Sequence, residues 1–74
     1  MTAILNPKQY EQEILKLEKR VKASRELLKH DYKQFDFTPS ATNWVRLTSS
    51  MADYQQRKTS LWEFEAEQRE AARS

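Results

Sequence analysis

With 74 residues, 38% of them apolar and 32% charged, this chain is limited to one small and heavily solvated domain. It has no cysteine, so neither disulfides nor a thiolate metal site can staple it, and a net charge of +2 is too small to mark it as a nucleic-acid binder on composition alone. It also has no glycine, which removes the left-handed glycine cap as a way to end a helix.

Met1 to Leu5 reads as a short lead-in. Ala3-Ile4-Leu5 is far too brief for the apolar region of a signal peptide, and no run approaches the ~20 apolar residues of a spanning helix. A cytoplasmic protein with no membrane partner is the expectation.

Asn6-Pro7 then opens a helix. Proline suits the first helical position, Asn6 is a capping residue, and Gln9 stands where its capping-box partner belongs. The spacing predicts a helix over residues 7–34. Tyr10, Ile14, Leu17, Val21, Leu28, Tyr32 and Phe35 recur at intervals of three, four or seven, which confines them to one stripe. In heptad terms Ile14, Val21, Leu28 and Phe35 share one core position and Tyr10, Leu17, Ser24 and Asp31 the other, so Ser24 and Asp31 interrupt the seam. Glu18 with Lys22, and Glu26 with His30, are four apart on the outside, where such pairs support a helix.

Phe35-Asp36-Phe37-Thr38-Pro39-Ser40 lacks that periodicity and reads as the hinge, with the turn over residues 35–38. Pro39 lacks an N–H and pushes Thr38 out of the helical region, so the first helix must stop before Thr38. Thr38 is the expected N-cap of a second helix that starts at Pro39 and continues over 39–72. Its apolar stripe is expected to be Trp44, Leu47, Met51, Tyr54, Leu61 and Trp62, interrupted by Lys58, whose stem can lie along apolar neighbours while its ammonium reaches water. Beyond Glu63 no apolar periodicity is evident, and this tail is expected to overhang the first helix and fray. A fold-back about residue 36 or 37 makes the chain all-α: an antiparallel two-helix hairpin forming a single domain.

Apolar residues spread along two rods give too little core for a chain of this size, and association is the usual remedy. The expected assembly is a homodimer closing into a four-helix bundle, or a hairpin seated on a helical protein client. Ile14, Leu17, Val21, Leu28, Leu47, Met51, Tyr54 and Leu61 are assigned to the intramolecular seam. Trp44, Trp62, Leu27, Val45 and Phe64 are assigned to contact with another chain, because large aromatics dominate interface energetics and the last three fit neither stripe.

No arrangement of nucleophile and base is recognisable, and the single histidine, His30, has no second histidine or cysteine to share a metal with. The expectation is a non-enzymatic adaptor, chaperone-like or regulatory protein with no catalytic or metal residues, no cofactor and no small-molecule substrate. Residues 16–33 hold seven basic and three acidic side chains, net +4, and residues 63–70 are net −3. The basic run raises the alternative of a nucleic-acid-binding dimer using Lys19, Lys22, Arg25 and Lys29. It equally suits charge-guided pairing of two hairpins.

Two helices joined by a proline turn with no glycine resemble, in format, the small plasmid RNA-binding hairpins that dimerise into four-helix bundles. Pro39-Ser40 at the turn, followed by a helix carrying Tyr54, is similar to the needle subunits of bacterial type III secretion, and the layout resembles the helical chaperones of that system. Such a resemblance implies a secretion chaperone or needle-like subunit with a specific protein partner. The composition is also similar to that of small phage-encoded helical proteins.

Overall fold

The computed structural model describes residues 5–73; most of the lead-in, residues 1–4, lies outside them. Two helices, α1 (Pro7–Phe37) and α2 (Ala41–Arg73), pack side by side as a hairpin 51 Å long, 19 Å wide and 12 Å thick. The body is one helix thick. Its radius of gyration is 16.3 Å, against about 11 Å for a compact globule of this length.

α1 starts as its sequence dictates. The Asn6 side chain accepts a hydrogen bond from the Gln9 N–H at 2.8 Å, and the Gln9 side chain accepts one from the Asn6 N–H at 3.3 Å, completing the capping box. The hinge lies further along the chain than residues 35–38. Phe35, Asp36 and Phe37 are helical because Pro39 restricts only the residue before it, and Thr38 is the C-cap of α1, donating its N–H to the Gln34 carbonyl at 2.9 Å. Ser40 rather than Thr38 caps α2: its Oγ accepts from the Asn43 N–H at 3.1 Å and its carbonyl from the Trp44 N–H at 2.9 Å. Proline therefore stands just outside the second helix instead of opening it. Asn43 ties the two ends together, its Nδ2 donating to the Thr38 carbonyl at 2.8 Å and to the Gln34 carbonyl at 3.4 Å. The Gln34 carbonyl also takes the Thr38 N–H, so the Asn43 side chain adds a second bond there and supplies the Thr38 carbonyl with a donor at the turn that a glycine cap closes elsewhere.

Pairing at the far end keeps the register of a fold-back about residue 37, and it departs from that register only near the hinge, where the Asp31 carboxylate accepts a hydrogen bond from the Ser50 hydroxyl. At the far end Tyr10 stacks on Phe64, with ring centroids 5.7 Å apart and planes at 20°. The Leu5 N–H donates to Gln68 Oε1 at 3.1 Å. The tail beyond Glu63 is accordingly helical and packed, with Gln68 buried and Phe64 and Ala71 partly covered.

The seam of α1 is the one its periodicity predicts: Tyr10, Ile14, Leu17, Val21, Ser24, Leu28, Asp31 and Phe35 are its covered positions, joined by the margin residue Glu13. In α2 the inward positions are Asn43, Leu47, Ser50, Tyr54, Arg57, Leu61, Phe64, Gln68 and Ala71, alternating in steps of four and three. Met51 is not among them; it is exposed. Among the described residues Leu47 is the only apolar side chain that is fully buried. Asn43→Ala should lower stability by about 0.5–1.5 kcal/mol by removing its side-chain bonds to the exposed Thr38 and Gln34 carbonyls. Thermal melting followed by circular dichroism checks this, and a midpoint within about 2 °C of the parent would show that those carbonyls do not depend on Asn43.

Candidate protein-interaction face

Each helix gives the seam two rows of side chains at seven-residue spacing, and the rows differ in chemistry. One is apolar: Ile14, Val21, Leu28 and Phe35 from α1, Leu47, Tyr54 and Leu61 from α2. The other is polar over its hinge half, with Ser24 and Asp31 from α1 and Asn43, Ser50 and Arg57 from α2, and apolar beyond, with Leu17 and then Tyr10 meeting Phe64 at the far end. The two rows border opposite sides of the slab.

On the polar side, Leu17 and Arg20 form a shallow groove with Asp53, Gln56, Arg57 and Ser60, which continues to Lys19, Ala23, Ser24 and Leu27. Several polar groups on this side are bonded within the hairpin, and Lys19, Arg20, Gln56 and Ser60 are exposed to water. The Ser24 hydroxyl donates to the Val21 carbonyl at 2.8 Å, Ser50 donates to Asp31, and the Arg57 Nε reaches both Asp53 carboxylate oxygens at 3.1 and 3.0 Å. Nothing here requires cover by a partner.

The opposite side is different. Leu28, Tyr32, Trp44, Leu47 and Met51 line an open groove of about 530 Å³ near the hinge, with Lys29 and Lys33 at its margin, and its accessible lining is almost entirely carbon. Trp44 is held at one end by Phe35, with ring centroids 5.4 Å apart. Further along α2, the Lys58 ammonium sits 5.1 Å from the Tyr54 ring and 4.9 Å from the Trp62 ring. The lysine that interrupts the stripe is thus placed by cation–π attraction of about 0.5–1 kcal/mol per ring at a site this open. Trp44, Met51 and Trp62 are each about half exposed, at 52%, 51% and 55%.

The residues assigned from sequence to partner contact are divided by this geometry. Trp44 lines the apolar groove and Trp62 stacks on Lys58. Leu27 lies on the polar side, and Val45 is exposed outside both grooves. Phe64 belongs to the intramolecular seam, where it stacks on Tyr10, the residue that a fold-back about residue 37 sets opposite it. Met51, assigned to the seam, lines the groove instead, as does Tyr32. Lys19 borders the polar groove and Lys29 the apolar one, so the four basic residues Lys19, Lys22, Arg25 and Lys29 fan over about 120° of α1, at 100° per residue, rather than forming one edge. Glu26 pairs with Lys29 at 3.9 Å, and no group of three or more His, Cys, Asp or Glu side chains among the described residues is placed to hold a metal.

One signal for this face was present in the sequence: Trp44 and Met51 are seven apart, and Lys58 and Glu65 continue the same row, next to the row of Leu47, Tyr54 and Leu61. Asn43 and Ser50 carried no apolar signal. No protein-family model, curated protein or solved structure matches this chain.

The contact between Ser50 and Asp31 gives a test of the polar row. Ser50→Ala should cost about 1–3 kcal/mol by leaving the Asp31 carboxylate without its donor, and adding Asp31→Leu should recover most of that loss. Urea unfolding of the two variants measures both effects; a double variant weaker than the single one would mean that the carboxylate has a further partner in this row.

Proposed function

We propose that this chain is a small, non-enzymatic helical protein-interaction module that works through the apolar side of the hairpin, and that a second copy covers that side to complete a four-helix bundle. The observation that carries this reading is the groove of Leu28, Tyr32, Trp44, Leu47 and Met51, a nearly all-carbon surface left bare beside a polar side that satisfies itself. Such a lining offers binding area, and its polar atoms are confined to the Tyr32, Trp44, Lys29 and Lys33 side chains, with no carboxylate or histidine among them.

Surface area supports an assembly of this size. The accessible surface is 5984 Å², whereas a compact monomer of 8.9 kDa exposes about 4,800 Å². The excess, about 1,200 Å², is more than the ~800 Å² that each partner contributes to a standard stable interface. That excess is total surface, and covering the apolar part of it with a second copy contributes about 25 cal/mol per Å² of stabilisation, in a hairpin with one buried apolar side chain among the described residues.

Light scattering behind a sizing column, over a hundredfold concentration range, should give twice the 8.9 kDa chain mass. Met51→Lys should yield a helical monomer, whereas Leu27→Lys should leave the dimer intact, since both side chains are 51% exposed but lie on opposite sides. A wild-type monomer at every concentration would overturn the dimer and assign the apolar side to the helices of a different protein.

A further inference from the structure

Resting on that dimer, we infer that its two copies lie face to face with their hinges at opposite ends, related by a two-fold axis that crosses the hairpin near Val21 and Tyr54. The charges along the groove side of α1 are graded. Glu11, Glu18, Arg25 and Tyr32 form one row at seven-residue spacing, and Tyr32 is a groove residue, so this row runs along the apolar side. It is acidic toward the base and basic toward the hinge, where Lys29 and Lys33 also border the groove.

A two-fold axis along the hairpin, with both hinges at one end, would gather Arg25, Lys29 and Lys33 of both copies at that end. An axis across the hairpin stacks α1 on the partner's α1 in the reverse direction. Glu18 then lies beside the partner's Arg25, and Glu11 near the partner's Lys33. The midpoint of both pairings falls at Val21 and Lys22.

α2 independently selects the same axis. The large aromatic at the base of the apolar side is Trp62, and the open groove near the hinge is centred on Leu47. Seating Trp62 in the groove formed around the partner's Leu47 requires an axis midway between them, at Tyr54 and Gln55. Residues 20–24 of α1 share their grooves with Asp53 and Arg57, so Val21 and Tyr54 stand at one level of the hairpin. Charge pairing on α1 and groove filling on α2 therefore call for a single axis. One symmetric operation satisfies both, and each contact occurs twice.

Absence of cysteine makes the test clean. Phe37 is 89% exposed at the hinge, so Phe37→Cys can carry a spin label without disturbing the seam. Fifteen residues separate it from the axis at Lys22, which at 1.5 Å per residue places the two labels roughly 45 Å apart. Hinges at one end would bring the labels within about 20 Å, given helices packed 8–10 Å apart. Pulsed dipolar spectroscopy on the dimer should give the long distance. A short distance with the dimer mass retained overturns the orientation alone, and a monomer mass overturns it together with the dimer. A second measurement tests the pairing itself: Glu18→Lys should raise the dimer dissociation constant about tenfold, and adding Arg25→Glu should restore it. Failure of that restoration would also overturn the arrangement.

Discussion

Two helices laid side by side touch along one line, and in a body 12 Å thick each seam side chain keeps a flank toward one broad side or the other. Everything else in this hairpin depends on what is spent on each side. An apolar row left open to water forfeits about 25 cal/mol per Å² of its potential stabilisation, and a polar row left open forfeits nothing so long as its groups are paired or wet. This chain sets one row of each kind. Ser24, Ser50 and Arg57 face the side that remains solvated, where their hydrogen bonds are made within the hairpin. Leucine, tyrosine and phenylalanine occupy the row beside the apolar groove, which is why a groove with an almost purely carbon lining can form in a chain that is one-third charged.

The hinge determines whether those rows meet like with like. Thr38, Pro39 and Ser40 separate the helices, and Asn43 bonds back to the Thr38 and Gln34 carbonyls, so sliding the hinge would break both of those bonds. With that anchor Asp31 meets Ser50 and Tyr10 meets Phe64. Sliding α2 along α1 by a few residues would take the Asp31 carboxylate away from its hydroxyl donor and part Tyr10 from Phe64. Local capping chemistry at Ser40 and Asn43 thereby bears on the pairing of side chains as far as Tyr10 and Phe64, roughly 30–35 Å along the hairpin at 1.5 Å per residue.

How well the sequence discloses this differs between the helices for a physical reason. α1 has a single apolar stripe, so its periodicity identifies the seam from Tyr10 to Phe35, including Ser24 and Asp31 as its polar positions. The capping box at Asn6 and Gln9 is equally legible, being a matter of local spacing. α2 is apolar in two directions, toward α1 and toward the open side, and following its largest residues merges the two: Trp44, Met51 and Trp62 belong to the open side, while Asn43, Ser50, Arg57 and Phe64 belong to the seam. The heptad of Leu47, Tyr54 and Leu61 does contain the answer, because Ser50, Arg57 and Phe64 complete it. It becomes visible only when polar residues are admitted to a core position, and that requires a partner such as Asp31, which lies in the other helix. The exact hinge was obscured for a similar reason: Thr38 and Ser40 are both good caps, and the bond that favours Ser40 involves Asn43 reaching back across the turn.

The polar row also bears on how far assembly can proceed. A hairpin apolar on both broad sides would present, after pairing, two more faces like the one just covered, and nothing would stop a third copy from adding. Here the outer side of each copy in the proposed pair carries Arg20, Lys19, Asp53 and Arg57 around a buried serine row. Covering those charges with another copy would remove them from water without supplying new partners, a cost that commonly exceeds the attraction recovered. On the proposed reading, growth would stop at two layers, because a closed two-fold pair would cover the apolar side and leave the polar side wet. The same asymmetry explains why the seam tolerates so many polar residues: they weaken the core of the single hairpin, and in return they give the hairpin only one side on which to associate.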